Sequence, residues 1–271
     1  LRHDRFCLKI INEFGSKVIR WYRIKNNFNK KPSQSINIKA QAKEIYPLIK
    51  NPKKILTRVR NKLGNLFSSN NNIDYLEQQM FYDEVKYLKM NSNLKPINIS
   101  NINSDQLIKQ IYELEPYFIL TLAGAKYSKK IIDCARGIAL NQHDGWCPSY
   151  KGSNTIEWAL IKRDYLRIGS TIHQLTTGMD AGPILRRSQI CLTNSDNRHS
   201  CFLKSVALGT DLMCETVSDI IRNKEIKIFP QPKHSGKTYL RKQLTTKILK
   251  SIDNDFLNGF YQSSMKKFRE Y

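Results

Sequence analysis

An apolar run that ends abruptly in polar residues constrains this chain more than any other stretch. Gly137 to Leu140 is followed by Asn141-Gln142-His143, then by a turn-rich segment with Gly145, Pro148 and Gly152. A short apolar run bounded in this way reads as a buried strand. Side chains alternate faces along extended backbone, so Asn141 and His143, two apart, project the same way. An amide and an imidazole therefore stand together where a buried strand leaves its sheet, the edge at which open α/β sheets bind ligands. A second apolar strand, Gly169 to Leu175, leads into Thr176-Thr177-Gly178-Met179-Asp180-Ala181-Gly182-Pro183. That loop sets a carboxylate among small, flexible residues.

Five elements between residues 134 and 187 occur in a fixed order. They are Asn141-Gln142-His143, Pro148-Ser149-Tyr150-Lys151-Gly152, Trp158-Ala159, Gly169-Ser170-Thr171-Ile172-His173 and Asp180-Ala181-Gly182-Pro183-Ile184. Together they resemble the formyltransferase superfamily, whose members move a formyl unit from 10-formyltetrahydrofolate to an amine. The resemblance implies an α/β, Rossmann-like formyltransferase fold, with a mostly parallel sheet and helices on both faces. It also implies an Asn141, His143 and Asp180 catalytic triad that needs no metal. By the same resemblance Gly124, Ala125, Lys126, Tyr127, Thr177, Gly178 and Met179 contact the folate, and Pro148, Lys151 and Gly152 contact the substrate. Two positions depart from the family pattern. Asp144 stands where proline commonly follows the histidine, adding a carboxylate near the imidazole, and Lys151 replaces an arginine, keeping charge but losing the guanidinium fork.

The 271 residues, 40% of them hydrophobic, suffice for one sizeable α/β domain with an appendage. Residues 1–225 read as the catalytic domain and 226–271 as a short extension, too short for a five-stranded barrel. The chain opens on Leu1 and a helical pattern over His3–Phe14, followed by a short strand, Val18–Tyr22. That order implies that the family's first strand is missing. Residues 26–72 read as an inserted, basic, helical excursion that caps the domain. Between Arg20 and Lys62, thirteen basic residues face the single acid Glu44. The α/β rhythm resumes at Pro96–Ile99 and continues through a helix capped by Ser104, the strand Tyr117–Leu122, a helix Ser128–Cys134 and a helix Asn154–Ile161. A strand Pro183–Leu192, a long helix His199–Arg222 and two basic C-terminal helices complete the pattern.

A net charge of +22 favours anionic partners but does not choose among them. No run approaches the roughly 18 apolar residues of a membrane span. Cys7, Cys134, Cys147, Cys191, Cys201 and Cys214 show neither a CxxC pair nor zinc-ligand spacing, as expected of free thiols in a reducing, cytoplasmic setting. Acyl transfer requires an oxyanion donor, a proton carrier and a group that orients the carrier; Asn141, His143 and Asp180 supply these in turn. His173 reads as structural and Trp158 as core. The preferred acceptor is a small anionic amine, an amino sugar on a nucleotide carrier, with Lys151, Arg186 or Arg187 as phosphate partners. Initiator tRNA, hydrolysis of the formyl donor, and polyanion binding on a degenerate scaffold are the less favoured readings, and the oligomeric state is left open.

Overall fold

The computed structural model describes residues 1–24, 73–122, 126–257 and 259. The expected insertion 26–72, the turn residues Gly124 and Ala125, and the second C-terminal helix lie outside the described residues. In chain order the elements are α1 (Arg2–Phe14), β1 (Tyr22–Ile24), α2 (Ile73–Met90), β2 (Ile97–Ile99), α3 (Asp105–Glu113), β3 (Phe118–Leu122) and α4 (Lys129–Ile132). They continue with β4 (Ile138–His143), β5 (Tyr150–Gly152), α5 (Thr155–Ile161), β6 (Gly169–Gln174), β7 (Ile184–Gln189), α6 (Arg198–Ile221), β8 (Lys237–Tyr239) and α7 (Thr246–Leu257).

Four strands form the central sheet in the order β3-β4-β6-β7, and β1-β2 and β5-β8 form two-stranded sheets. The ladders β1–β2, β3–β4 and β5–β8 are parallel. β6 joins β4 antiparallel, with Asn141 opposite His173 and His143 opposite Thr171, and β7 extends the sheet antiparallel to β6. The strand carrying His173 thus runs back toward the start of β4, and the loop after it begins beside Ala139, whose carbonyl accepts from Leu175 N–H at 2.8 Å.

Period-two alternation explains both faces of the sheet. Ile138 and Leu140 of β4 join Phe118 and Leu120 of β3 in a cluster with Phe6 and Ile10 of α1 and Leu212, Met213 and Val217 of α6. Ala139 and Ile119 face the other way, against Leu107 and Ile111 of α3 and Ile131 of α4. Helices therefore cover both faces. Leu140, Ile172 and Met213 are completely buried, each contributing about 1.5–3 kcal/mol by apolar burial. Asn141 and His143 continue the parity of Ala139, so the site is built on the α3–α4 face.

The long helix α6 is fixed at its start by a reciprocal cap. Asn197 Oδ1 accepts from His199 and Ser200 N–H at 2.9 and 3.1 Å, and Ser200 Oγ accepts from Asn197 N–H at 2.9 Å. The helix then approaches the sheet closely at Gly209. A Cβ there would lie 2.5 Å from Gln142 Nε2 and nearer still to Ser170 Oγ.

Several boundaries differ from expectation. The first short strand is Tyr22–Ile24: Val18 is extended after a 3-10 turn at Gly15–Lys17, but pairing with β2 begins only at Tyr22. The expected helix Ser128–Cys134 shortens to one turn, and the expected strand to Leu192 stops at Gln189. Between the edge of β3 and the β1–β2 pair lies a cavity of about 1120 Å³, lined by apolar groups that include Phe6, Ile10, Trp21, Phe118, Leu120 and Val217. No helix among the described residues is long and apolar enough to cross a membrane.

Candidate active site

Asn141 and His143 sit at the end of β4, each 7% exposed, and point to the same face. Asp180 reaches them from the loop after β6. Its Oδ2 lies 3.4 Å from His143 Nδ1 and its Oδ1 lies 3.5 Å from His173 Nε2. The three residues selected from sequence are therefore gathered, together with a fourth, His173, that the sequence reading left as structural. His173 is 1% exposed, and its Nε2 lies 3.2 Å from Asn141 Nδ2. The signal that locates it is register: His173 lies directly across the ladder from Asn141, and such a pair shares a face.

A chain of hydrogen bonds orients the amide. Thr121 of β3 donates its hydroxyl to Asn141 Oδ1 at 2.7 Å. That contact turns the Nδ2 group toward His173 Nε2, and no second partner for Nδ2 stands among the described residues. His173 Nδ1 faces the Gln174 carbonyl at 2.8 Å, so with its proton there Nε2 accepts from Asn141, and with a second proton Nε2 donates to Asp180 instead. Thr121 was missed from sequence because a threonine inside an apolar strand carries no motif.

His143 Nε2 stands 2.9 Å from the Tyr150 carbonyl and Nδ1 faces Asp180, so both ring nitrogens look at acceptor oxygens. Gly145 is required beneath this ring, where a Cβ would collide with Nε2 and with Thr155. Asp180 adopts the left-handed backbone region at φ 47°. Its Oδ2 also accepts from Gly152 N–H at 2.7 Å, which joins the Asp180 loop to the Pro148–Gly152 turn. Burial pushes the Asp180 carboxyl up, but the charge of His143, the His173 hydrogen bond and the Gly152 amide outweigh it and hold the group at about 2.

Other expected residues are distributed differently. Asp144 does not join the imidazole. It turns to the α6 face and bonds Gln142 Nε2 at 2.9 Å and Ser170 Oγ at 3.4 Å, because residues 142 and 144 alternate with 141 and 143. Burial raises its carboxyl above the usual range. Lys151 is buried on β5 and has no ion pair among the described residues, with Pro148 and Gly152 half-buried beside it. Arg186 is held away by Glu215 at 2.8 Å and Asp219 at 2.7 Å, and Arg187 bonds the Cys147 carbonyl at 2.6 Å while lying over the Trp146 ring. The Arg186 fork is thereby occupied.

Thr177, Gly178 and Met179 are exposed just before Asp180, Lys126 is exposed, and Tyr127 packs into the core between α3 and α4. The large cavity touches Thr121 and Tyr127 but is not lined by Asn141, His143 or Asp180. Trp158 stacks on Tyr239 with ring centroids 4.8 Å apart, in keeping with a packing role. Burial pushes the Cys147 thiol well above its ordinary range, which removes it as a nucleophile.

Comparison with known proteins supplies the family. The chain is similar to methionyl-tRNA formyltransferase of Thermodesulfovibrio yellowstonii, 29% identical over 157 residues, or 58% of this chain and 50% of that protein. It is similar to the enzyme of that name from Limosilactobacillus fermentum, 28% identical over 138 residues, or 51% and 43% of the two chains. The chain spans about half the length of these curated relatives. Among solved structures, the formyltransferase PseJ from Anoxybacillus kamchatkensis, in complex with a UDP-linked formamido sugar and tetrahydrofolate, aligns at 20% identity and a TM-score of 0.45, covering 63% of this chain and 80% of that one. A family model described as formyl transferase matches residues 52–217, a span that starts inside the segment read as an insertion. More than half of the chain lies within that match, and the chain belongs to the formyl transferase family.

Proposed function

We propose that this protein transfers a formyl group from 10-formyltetrahydrofolate to the amine of an anionic acceptor. One observation carries the reading: Asn141, His143 and Asp180, far apart in sequence, meet on one face of the sheet with His143 and Asp180 3.4 Å apart. Membership of the formyl transferase family supports it.

In this mechanism the amine nitrogen bonds to the formyl carbon, and the carbonyl oxygen takes up negative charge. The second N–H of Asn141, held in orientation by Thr121 and His173, donates to that oxyanion, a contact typically worth about 10²–10³ in rate. His143 accepts the proton released by the amine, exchanging its contact with the Tyr150 carbonyl or with Asp180 for the reacting atom; such hydrogen bonds tighten only in the complex. Asp180, anionic at neutral pH, stabilises the imidazolium and fixes its ring. The same proton passes to N10 as the bond from formyl carbon to N10 breaks. The products are a formamide and tetrahydrofolate, and no proton is left over.

Lys151 supports an anionic acceptor, because a largely buried lysine beside the site with no ion pair among the described residues favours a phosphate. An amino sugar on a nucleotide carrier is the acceptor of choice in this reading. A second reading, methionyl-tRNA, has specific support in the names of the curated relatives and in the net charge of +22. The test is to mix the full chain with 10-formyltetrahydrofolate and each acceptor class and to follow tetrahydrofolate by absorbance and the formamide by mass spectrometry. Amine-dependent turnover that vanishes in His143→Ala upholds the proposal. Formate release without an amine identifies a hydrolase, and no folate turnover with any acceptor overturns it.

A further inference from the structure

The family match ends at residue 217, yet the chain beyond it returns to the candidate site. Phe229 exchanges two backbone hydrogen bonds of 2.8 Å with Ile184, which fixes the segment against the first residue of β7. Two residues on, Gln231 Nε2 donates to the Asp180 carbonyl at 2.9 Å and to the Gly182 carbonyl at 2.7 Å. Further along, β8 pairs in parallel with β5, and Tyr239 O accepts from Ser153 N–H at 2.8 Å. Gly236 lets this segment pass the Pro148 carbonyl at a distance no side chain would allow, and Gly152 does the same for Tyr239. One stretch, residues 229–239, thus holds both the loop that carries Asp180 and the turn whose amide bonds its carboxylate.

We propose that Gln231 is a positioning residue: through the Asp180 and Gly182 carbonyls it sets the placement of the Asp180 carboxylate against His143 and His173. The inference rests on the formyl-transfer reading for its kinetic consequence, but not for the placement itself. The physical need is plain. Asp180 sits at φ 47°, a conformation disfavoured for a residue with a Cβ that persists only where its surroundings impose it. Two N–H donors from one side chain do so by tying down carbonyls on both sides of Ala181. The Cys147 Sγ–H, 3.6 Å from the same Asp180 carbonyl, is a weak donor and cannot replace them. With both carbonyls released, the residue relaxes toward negative φ, and the carboxylate swings away from the Gly152 amide and the two imidazoles.

The decisive variant is Gln231→Met, which keeps length and loses both donors. In the full chain its kcat falls about 10-fold or more with the folate KM within about two-fold, the pattern of a group that acts only in the transition state. The Asp180 carboxyl, followed by its Cγ resonance in a labelled protein, titrates about one pH unit higher because the groups that depress it have receded. Gln231→Asn, which keeps a donor on a shorter arm, recovers part of both effects, and it serves as the test variant if Gln231→Met does not fold. In an Asp180→Asn background, Gln231→Met causes no further loss of kcat. A folded Gln231→Met protein with an unmoved Asp180 titration overturns the proposal, whether or not kcat changes. If the wild-type protein transfers no formyl group, the formyl-transfer reading falls alone, and the titration still decides the role of Gln231.

Discussion

Asp180→Asn isolates the charge that holds the site together. Asparagine matches aspartate in size and tolerates the left-handed backbone at this position, so the loop need not refold. What disappears is an anion whose two oxygens face His143, His173 and the Gly152 amide. A carboxyl held at about 2 instead of 3.8 contributes about 2 kcal/mol of folding stability at neutral pH. Its side chain is 13% exposed, so solvent screening removes little of this. The sign follows from the depressed value. The contribution is complete above about pH 5, where the unfolded chain is also ionised, and it is lost as pH falls through 2. Urea unfolding followed by circular dichroism at pH 7, 5, 3.5 and 2.5 measures it. The variant is expected to be less stable than wild type by about 2 kcal/mol at pH 7 and 5, and the gap narrows to about 1 kcal/mol at pH 2.5. An equal offset at every pH, or no offset at pH 7, refutes the electrostatic account of Asp180. Loss of the carboxylate also lowers kcat by roughly 10²–10⁴, as for carboxylates beside catalytic histidines elsewhere.

Thr121→Val removes the hydroxyl that orients Asn141 without changing shape, and formyl transfer should slow about 10-fold while Thr121→Ser retains most of the rate; equal rates for both variants would show that the amide is oriented by His173 alone. Gly209→Ala improves helix propensity but drives a Cβ against the fully buried Gln142 and Ser170, so chemical denaturation should register a net loss of about 1–3 kcal/mol. A thiol reagent applied to the native protein, with sites mapped by mass spectrometry, should label exposed Cys191 first and leave buried Cys147 and Cys201 untouched until unfolding.

The grouping of the candidate site residues was largely legible in the sequence because two rules act at short range. Period-two alternation put Asn141 and His143 on one face, and the flexible Asp180 loop marked itself by its small residues. What depended on distant pairing was not legible. The direction of β6 is a property of its neighbours, and only the antiparallel register brings His173 opposite Asn141. Thr121 and Gln231 make their contacts with the site from unremarkable surroundings, a threonine in an apolar strand and a glutamine between two prolines. Asp144 shows the converse: adjacency to His143 in sequence suggested shared chemistry, and alternation sent it to the opposite face. The slip of the first strand from Val18–Tyr22 to Tyr22–Ile24 has the same origin, since where pairing with β2 begins is set by a partner distant in sequence.

The reversed course of β6 divides the site into two mechanical classes. Its amide and imidazoles ride on hydrogen-bonded ladders, where any displacement must drag neighbouring strands along. Its anion hangs from a returning loop that doubles back across the face of the sheet before reaching its partners. The negative member of the set is therefore held by side-chain and loop contacts rather than by a ladder. Insertions or exchanges in that loop can retune the field felt by a reacting molecule while the underlying lattice of strands stays in register.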